Sequence, residues 1–238
     1  MYKIGIVSYL NSLPFRYGLE SISNCELQTL VPSVISDKLC NNHLDIGLVP
    51  IATFIRHKDW NIISDYCIGS DGEVKTVLLI SEKSINLIST ICIDSESKSS
   101  NLLAKVICNN FWKINPEWVN DDAKCDAKIV IGDKTFIYNT EYPNIIDLSL
   151  EWKKQTGMPF VFAAWVSNKK IDSDFLINFN KSISLGVNSI DLCLKKYNHL
   201  LPISHENAQD YLKKNISFNL DEEKKLAIHY FAKLVENL

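Results

Sequence analysis

Residues 3–15 read Lys3-Ile4-Gly5-Ile6-Val7-Ser8-Tyr9-Leu10-Asn11-Ser12-Leu13-Pro14-Phe15. A short run rich in Ile and Val, a polar stretch at Asn11-Ser12 and a proline suited to the first turn of a helix spell strand, turn, helix. The pattern repeats downstream. Residues 26–31 make a second strand candidate, Pro32-Ser33 an N-cap signal, 34–40 a helix, and 46–49 a third strand ending at Pro50. Strands that alternate with helices pair in parallel beneath a helical cover, so this stretch sets an α/β class.

Working outward, 51–57 reads as a short helix, and 61–64 and 74–81 as strands flanking the turn Gly69-Ser70-Asp71-Gly72. A second unit of the same kind begins near Leu87, with 90–93 a strand, 94–100 a polar turn and 101–111 a helix. Residues 128–131 form a buried strand closed by Gly132-Asp133, 149–156 a helix ended by Gly157 and Pro159, and 160–166 a long apolar strand. Everything after Asn168 is helical in pattern, with Leu226, Ile228, Phe231 and Leu234 as core candidates of the last helix. Two βαβ units with long strands at their junctions predict two chain crossings. The expected lobes are 1–84 with 168–238, and 85–167, around a cleft at the carboxyl edges of two open sheets.

The composition limits the functions. The 238 residues are 46% hydrophobic and 22% charged, a mix that supports a packed core and excludes disordered and fibrous classes. Lys and Arg number 25 against 28 Asp and Glu, so no broad positive field exists to hold nucleic acid. No apolar run reaches membrane-spanning length, and no signal-peptide pattern precedes Ile4. The seven cysteines are scattered without a C-x-x-C pair, and read as small core hydrophobes with free thiols in a reducing, cytoplasmic setting. No histidine is paired for a metal, and no P-loop, G-x-G-x-x-G or G-x-S-x-G is present, so neither cofactor nor metal is expected.

The polar turns fall where an open α/β sheet meets its ligand. They hold Ser8 and Tyr9, Ser33, Ser70-Asp71-Gly72, Ser95 to Ser100 and Gly132-Asp133. Backbone N–H groups and hydroxyls at a helix start hold a carboxylate or phosphate without a cation. Arginine occurs only at Arg16 and Arg56, so an anion would rely on such donors, helped by Lys75 or Lys98. Ser, Asn and Asp are also ordinary caps, and the run with four serines in six residues suits capping and ligand binding equally. Glu96, Asp71 and Asp133 are carboxylates at strand ends and candidate general bases, although solvated turn acids are the commoner case. The stripe Trp152, Phe160, Phe162, Trp165 reads as core.

The turns Val7-Ser8-Tyr9-Leu10-Asn11-Ser12-Leu13-Pro14-Phe15, Leu44-Asp45-Ile46-Gly47-Leu48-Val49-Pro50, Ser70-Asp71-Gly72, Ser95-Glu96-Ser97-Lys98-Ser99-Ser100 and Ile131-Gly132-Asp133 resemble those of the chorismate dehydratase family of the futalosine route to menaquinone. So does the stretch 147–162, with its Glu151-Trp152 and Thr156-Gly157-Met158-Pro159-Phe160-Val161-Phe162. The resemblance runs to about Lys170 and departs after Val49, where the family pattern carries serines and this chain has Pro50-Ile51. It implies a two-lobed type II periplasmic-binding-protein-like fold with two hinge strands, used as a lyase that removes water from chorismate. The family's functional asparagine falls on Asn11.

Ser97, Ser99 and Ser100 are expected to bind one substrate carboxylate through a helix N-terminus, with Ser8, Tyr9, Ser33, Ser70, Asp71, Gly72 and Gly132 as further binding positions. The base is expected to be the substrate's own enolpyruvyl carboxylate, with Glu96 or Asp133 the protein alternative. A sister family, forming a naphthoate, opens on S-P-C-P-N-D where this chain has Ser8-Tyr9-Leu10-Asn11. A non-catalytic small-anion-binding protein and a regulator's ligand-sensing domain are the remaining readings. Neither a nucleic-acid nor a membrane partner is expected, and the sequence leaves the oligomeric state open.

Overall fold

The structure, a computed structural model, describes residues 1–120, 123–136 and 142–238. In chain order it begins β1 (Tyr2–Ile6), α1 (Leu13–Leu19), β2 (Cys25–Thr29), α2 (Pro32–Cys40), β3 (Ile46–Pro50), α3 (Ile51–Phe54) and β4 (Asn61–Ser70). Next come β5 (Val77–Ser81), β6 (Thr90–Cys92), α4 (Lys98–Ile107), β7 (Glu117–Val119), β8 (Ala127–Ile131), β9 (Asn144–Asp147) and α5 (Leu148–Thr156). The chain closes with β10 (Phe160–Ser167), α6 (Ser173–Asn188), α7 (Ile190–Lys196), α8 (His205–Asp210), β11 (Ser217–Asn219) and α9 (Glu222–Glu236). Two compact units result, Met1–Gly69 with Val161–Asp221, and Ser70–Phe160 with Glu222–Leu238. The expected lobes break at other residues, after 84 and 167, and keep the last helix in the first lobe.

In the first unit the sheet order is β11-β4-β10-β3-β1-β2. β1 lies parallel to both β2 and β3: the α1 crossover carries the chain from β1 to β2, and the α2 crossover carries it back past β1 to β3. β10 joins β3 and β11 joins β4 antiparallel, so the sheet is mixed where parallel pairing was expected. Phe15 of α1 is fully buried, 5.7 Å from the Trp165 ring and 5.3 Å from Phe218. α1 meets α6 at glycines: a Cβ on Gly18 would stand 1.8 Å from the Ser182 carbonyl oxygen, and one on Gly186 as close to that of Pro14. Only a residue without a side chain permits that approach. β11 lies in the tail expected to be wholly helical; Phe218 buries there, and Leu220 N–H donates to the Asp65 carbonyl at 2.8 Å.

The second unit repeats the device. Its order is β7-β6-β8-β5-β9, with β6 parallel to both β7 and β8 and β5 antiparallel to β8 and β9. Gly157, in the left-handed region at φ 73°, ends α5 as expected. Trp152 is fully buried and Phe160 nearly so, while Phe162 is only partly covered. Phe231 of α9 stands edge-on to Trp152 at 5.8 Å and to Phe160 at 5.0 Å. The buried stripe of α9 runs Lys224, Ala227, Ile228, Phe231, and Leu226 is 62% exposed instead of buried. Leu226 lies two residues from both Lys224 and Ile228, which places it off a 3.6-residue stripe.

The cysteine reading needs correction. Cys92 and Cys125 form a disulfide, 33 residues apart in sequence with Cα atoms 5.9 Å apart. β7 and β8 flank β6, so the chain joining them must pass β6, which brings Ala123 and Cys125 against Cys92. Of the others, Cys67, Cys108 and Cys193 are buried, Cys25 is half-buried and Cys40 is exposed. Burial pushes the Cys108 and Cys193 thiols up to about 12. At pH 8 they stay protonated and unreactive. Brief iodoacetamide treatment of the native protein is therefore expected to alkylate Cys40 and spare both, as peptide mass mapping would show; equal labelling would contradict their burial.

Candidate active site

In each sheet one strand lies between the next two strands of the chain and parallel to both, so the direction of the connections reverses around it, at β1 in the first and at β6 in the second. Ligands of open α/β sheets gather beyond the carboxyl end of such a strand. Those ends carry Ser8 to Ser12 and Ser95 to Ser100, two of the five turns singled out from sequence.

Beyond β1, Tyr9 is extended and opens a tight turn over Leu10–Ser12. Buried Ser12 closes it, its Oγ lying 2.6 Å from the Val7 carbonyl and 2.7 Å from that of Tyr9. Ser12 thus shapes the turn, leaving Ser8 exposed and Tyr9 and Asn11 half-buried. Asn11 Nδ2 donates to Tyr211 Oη at 3.5 Å, and Asn11 Oδ1 is buried with no hydrogen-bond partner among the described residues. Ser33 is exposed in the first turn of α2, whose cap is Val31, one residue ahead of the expected Pro32-Ser33 signal. Beyond β3, Thr53 on α3 supplies a buried hydroxyl that also lacks a partner among the described residues. Sequence reading passed over Thr53 because a Thr inside a short apolar helix carries no signal of its own. Arg16 is engaged elsewhere on α1, pairing with Glu20 at 3.0 Å.

Beyond β6 the organising residue is Asp94, which sequence reading treated as turn material. It is 1% exposed, and its Oδ1 accepts from Glu96 N–H at 2.9 Å while Oδ2 meets Lys134 Nζ at 2.6 Å. Asn101 accepts the Asp94 N–H at 3.0 Å and donates to its carbonyl at 2.7 Å. Lys134 follows Gly132-Asp133, so this ion pair brings together the turns after β6 and β8. Gly132, at φ 66°, donates its N–H to the Thr76 carbonyl at 2.9 Å, and Asp133 is half-buried. Glu96 is exposed. Ser97 is the cap of α4: its Oγ accepts from Ser100 N–H at 3.2 Å and lies 2.8 Å from Ser100 Oγ. Ser99 and Ser100 are buried in the first turn of α4.

At the same edge, buried Ser70 and Ser149 share a hydrogen bond between their hydroxyls. Asp147 binds the N–H groups of Val74 (3.0 Å), Lys75 (2.7 Å), Ser149 (3.0 Å) and Leu150 (2.9 Å). Burial pushes its carboxyl upward, against the four donors that favour its charge. Asp71 is exposed and paired with Lys153 at 2.6 Å, which marks it as a surface ion pair rather than a base. Gly72 adopts φ 125° in the turn beside it. Among the described residues no group of three or more His, Cys, Asp or Glu is placed to hold a metal, and no helix is long and apolar enough to cross a membrane.

Residues 2–237 match the family described as menaquinone biosynthesis. A protein named chorismate dehydratase from Campylobacter jejuni subsp. jejuni serotype O:23/36 (strain 81-176) is 27% identical, over 98% of this chain and 97% of its own. A crystal structure of an Archaeoglobus fulgidus protein superposes with a TM-score of 0.75 at 13% identity, covering 99% of this chain and 97% of that one. A Candida albicans protein described as having the generic periplasmic binding protein structural fold gives 0.72 at 13% identity, over 100% and 90% of the two chains. The fold is periplasmic-binding-protein-like, and the chain belongs to the menaquinone biosynthesis family.

Proposed function

We propose that this chain eliminates water from chorismate to give 3-(1-carboxyvinyloxy)benzoate, within a futalosine-dependent route to menaquinone. What supports the reading is near-full-length similarity to a protein named chorismate dehydratase, in a chain where two of the five turns singled out from sequence follow the switch strands of the two sheets.

Chorismate is a dianion whose C3 proton is acidified through the conjugated ring carboxylate. Loss of that proton and of the C4 hydroxyl leaves an aromatic ring, and aromatisation supplies much of the driving force. The protein's task is to hold the carboxylates, stabilise the charge that develops and orient the departing hydroxyl. Ser99 and Ser100, in the first turn of α4, are suited to one carboxylate as hydroxyl donors near the positive end of the helix dipole. Asp94 and Lys134 fix the turn that presents them. Asn11 cannot act as a base, because an amide has no proton affinity near pH 7. The substrate's enolpyruvyl carboxylate is the base in this account, with the exposed Glu96 and the half-buried Asp133 as the protein alternatives.

Incubation with chorismate, followed by diene absorbance and product mass, tests the reaction. In the same assay Glu96→Gln and Asp133→Asn are each expected to keep turnover within about threefold of the parent. A loss of a hundredfold or more in either, about the least a missing general base produces, would assign the base to that residue.

A further inference from the structure

An unpaired acceptor buried in a folded protein has a desolvation cost that packing alone does not explain. Among the described residues Asn11 Oδ1 is such an atom, and its amide is anchored from a distant part of the chain: Nδ2 donates to Tyr211 Oη, 200 residues away. Tyr211 is 2% exposed and opens a widened helical turn, Tyr211–Asn215, in which Ile216 N–H reaches back to the Tyr211 carbonyl at 3.3 Å. Such turns concentrate at functional sites. The pairing of Ser217 with Gly69 holds the end of this segment in the sheet.

We propose that Tyr211 is a positioning residue for Asn11. By taking an N–H of the amide in this orientation it leaves Oδ1 as an acceptor for a hydroxyl on the ligand. Oδ1 can only accept, so it grips the hydroxyl through its proton. On the chorismate reading, on which this inference rests for its substrate, that group is the C4 hydroxyl before it departs. The Tyr211 phenol takes no part in bond breaking.

The test is a double-mutant cycle on the full chain with chorismate. Tyr211→Phe is expected to lower kcat about tenfold with KM within about twofold and the melting temperature unchanged. In an Asn11→Ala background the same change is expected to add nothing. Equal losses in both backgrounds would overturn the assignment while leaving the dehydratase reading intact. If the parent protein leaves chorismate untouched, the dehydratase reading fails and a second measurement decides. The Asn11 side-chain amide signals in nitrogen-15 spectra are identified by their disappearance in Asn11→Ala. Their displacement in Tyr211→Phe supports the contact, and unmoved signals refute it.

Discussion

Asn11→Ala is expected to lower chorismate turnover about a hundredfold or more, with little change in melting temperature. The side chain is half-buried, its Oδ1 has no partner among the described residues, and its contact to Tyr211 is long at 3.5 Å. Truncation therefore removes little that holds the fold; the turn is closed by Ser12, whose hydroxyl lies against the Val7 and Tyr9 carbonyls. What it removes is an amide in the turn beyond the carboxyl end of β1. Steady-state kinetics beside a thermal melt make the check. A small kinetic loss, or one matched by unfolding, would take Asn11 out of the reaction.

Phe231→Ala is expected to cost about 3–5 kcal/mol, the range for truncating a buried aromatic. At roughly 2–4 °C per kcal/mol for a chain of this size, the melting temperature should fall by about 10 °C. Phe231 is 1% exposed and meets Trp152 and Phe160 edge-on, so its loss opens a cavity between two rings that cannot collapse into it. Leu226→Ala, at an exposed position of the same helix, should change stability by less than about 0.5 kcal/mol. Equal effects would mean that α9 packs in another phase.

These two residues show what the sequence could and could not disclose. The strand, turn and helix at residues 3–15 are legible because the apolar run, the polar break and Pro14 are all local, and the same holds for the turn at Ser95 to Ser100. The phase of α9 is not legible: its apolar residues fit more than one stripe, and Trp152 and Phe160, some 70 residues upstream, decide between them. The Cys92–Cys125 bond depends on how the chain passes β6. Asp94 looks like a turn residue until Lys134 is seen beside it, and Tyr211 like a helical tyrosine until its hydroxyl meets Asn11. Each of these rests on a partner more than 30 residues away, which no local pattern encodes.

The most direct test of the account is to incubate the purified protein with chorismate and follow the diene absorbance while weighing the product. The account predicts that the absorbance decays in proportion to protein, and that the product is one water lighter than chorismate and carries an aromatic ring. Chorismate that binds yet is recovered unchanged, or is lost to a product that has kept its water, would contradict it.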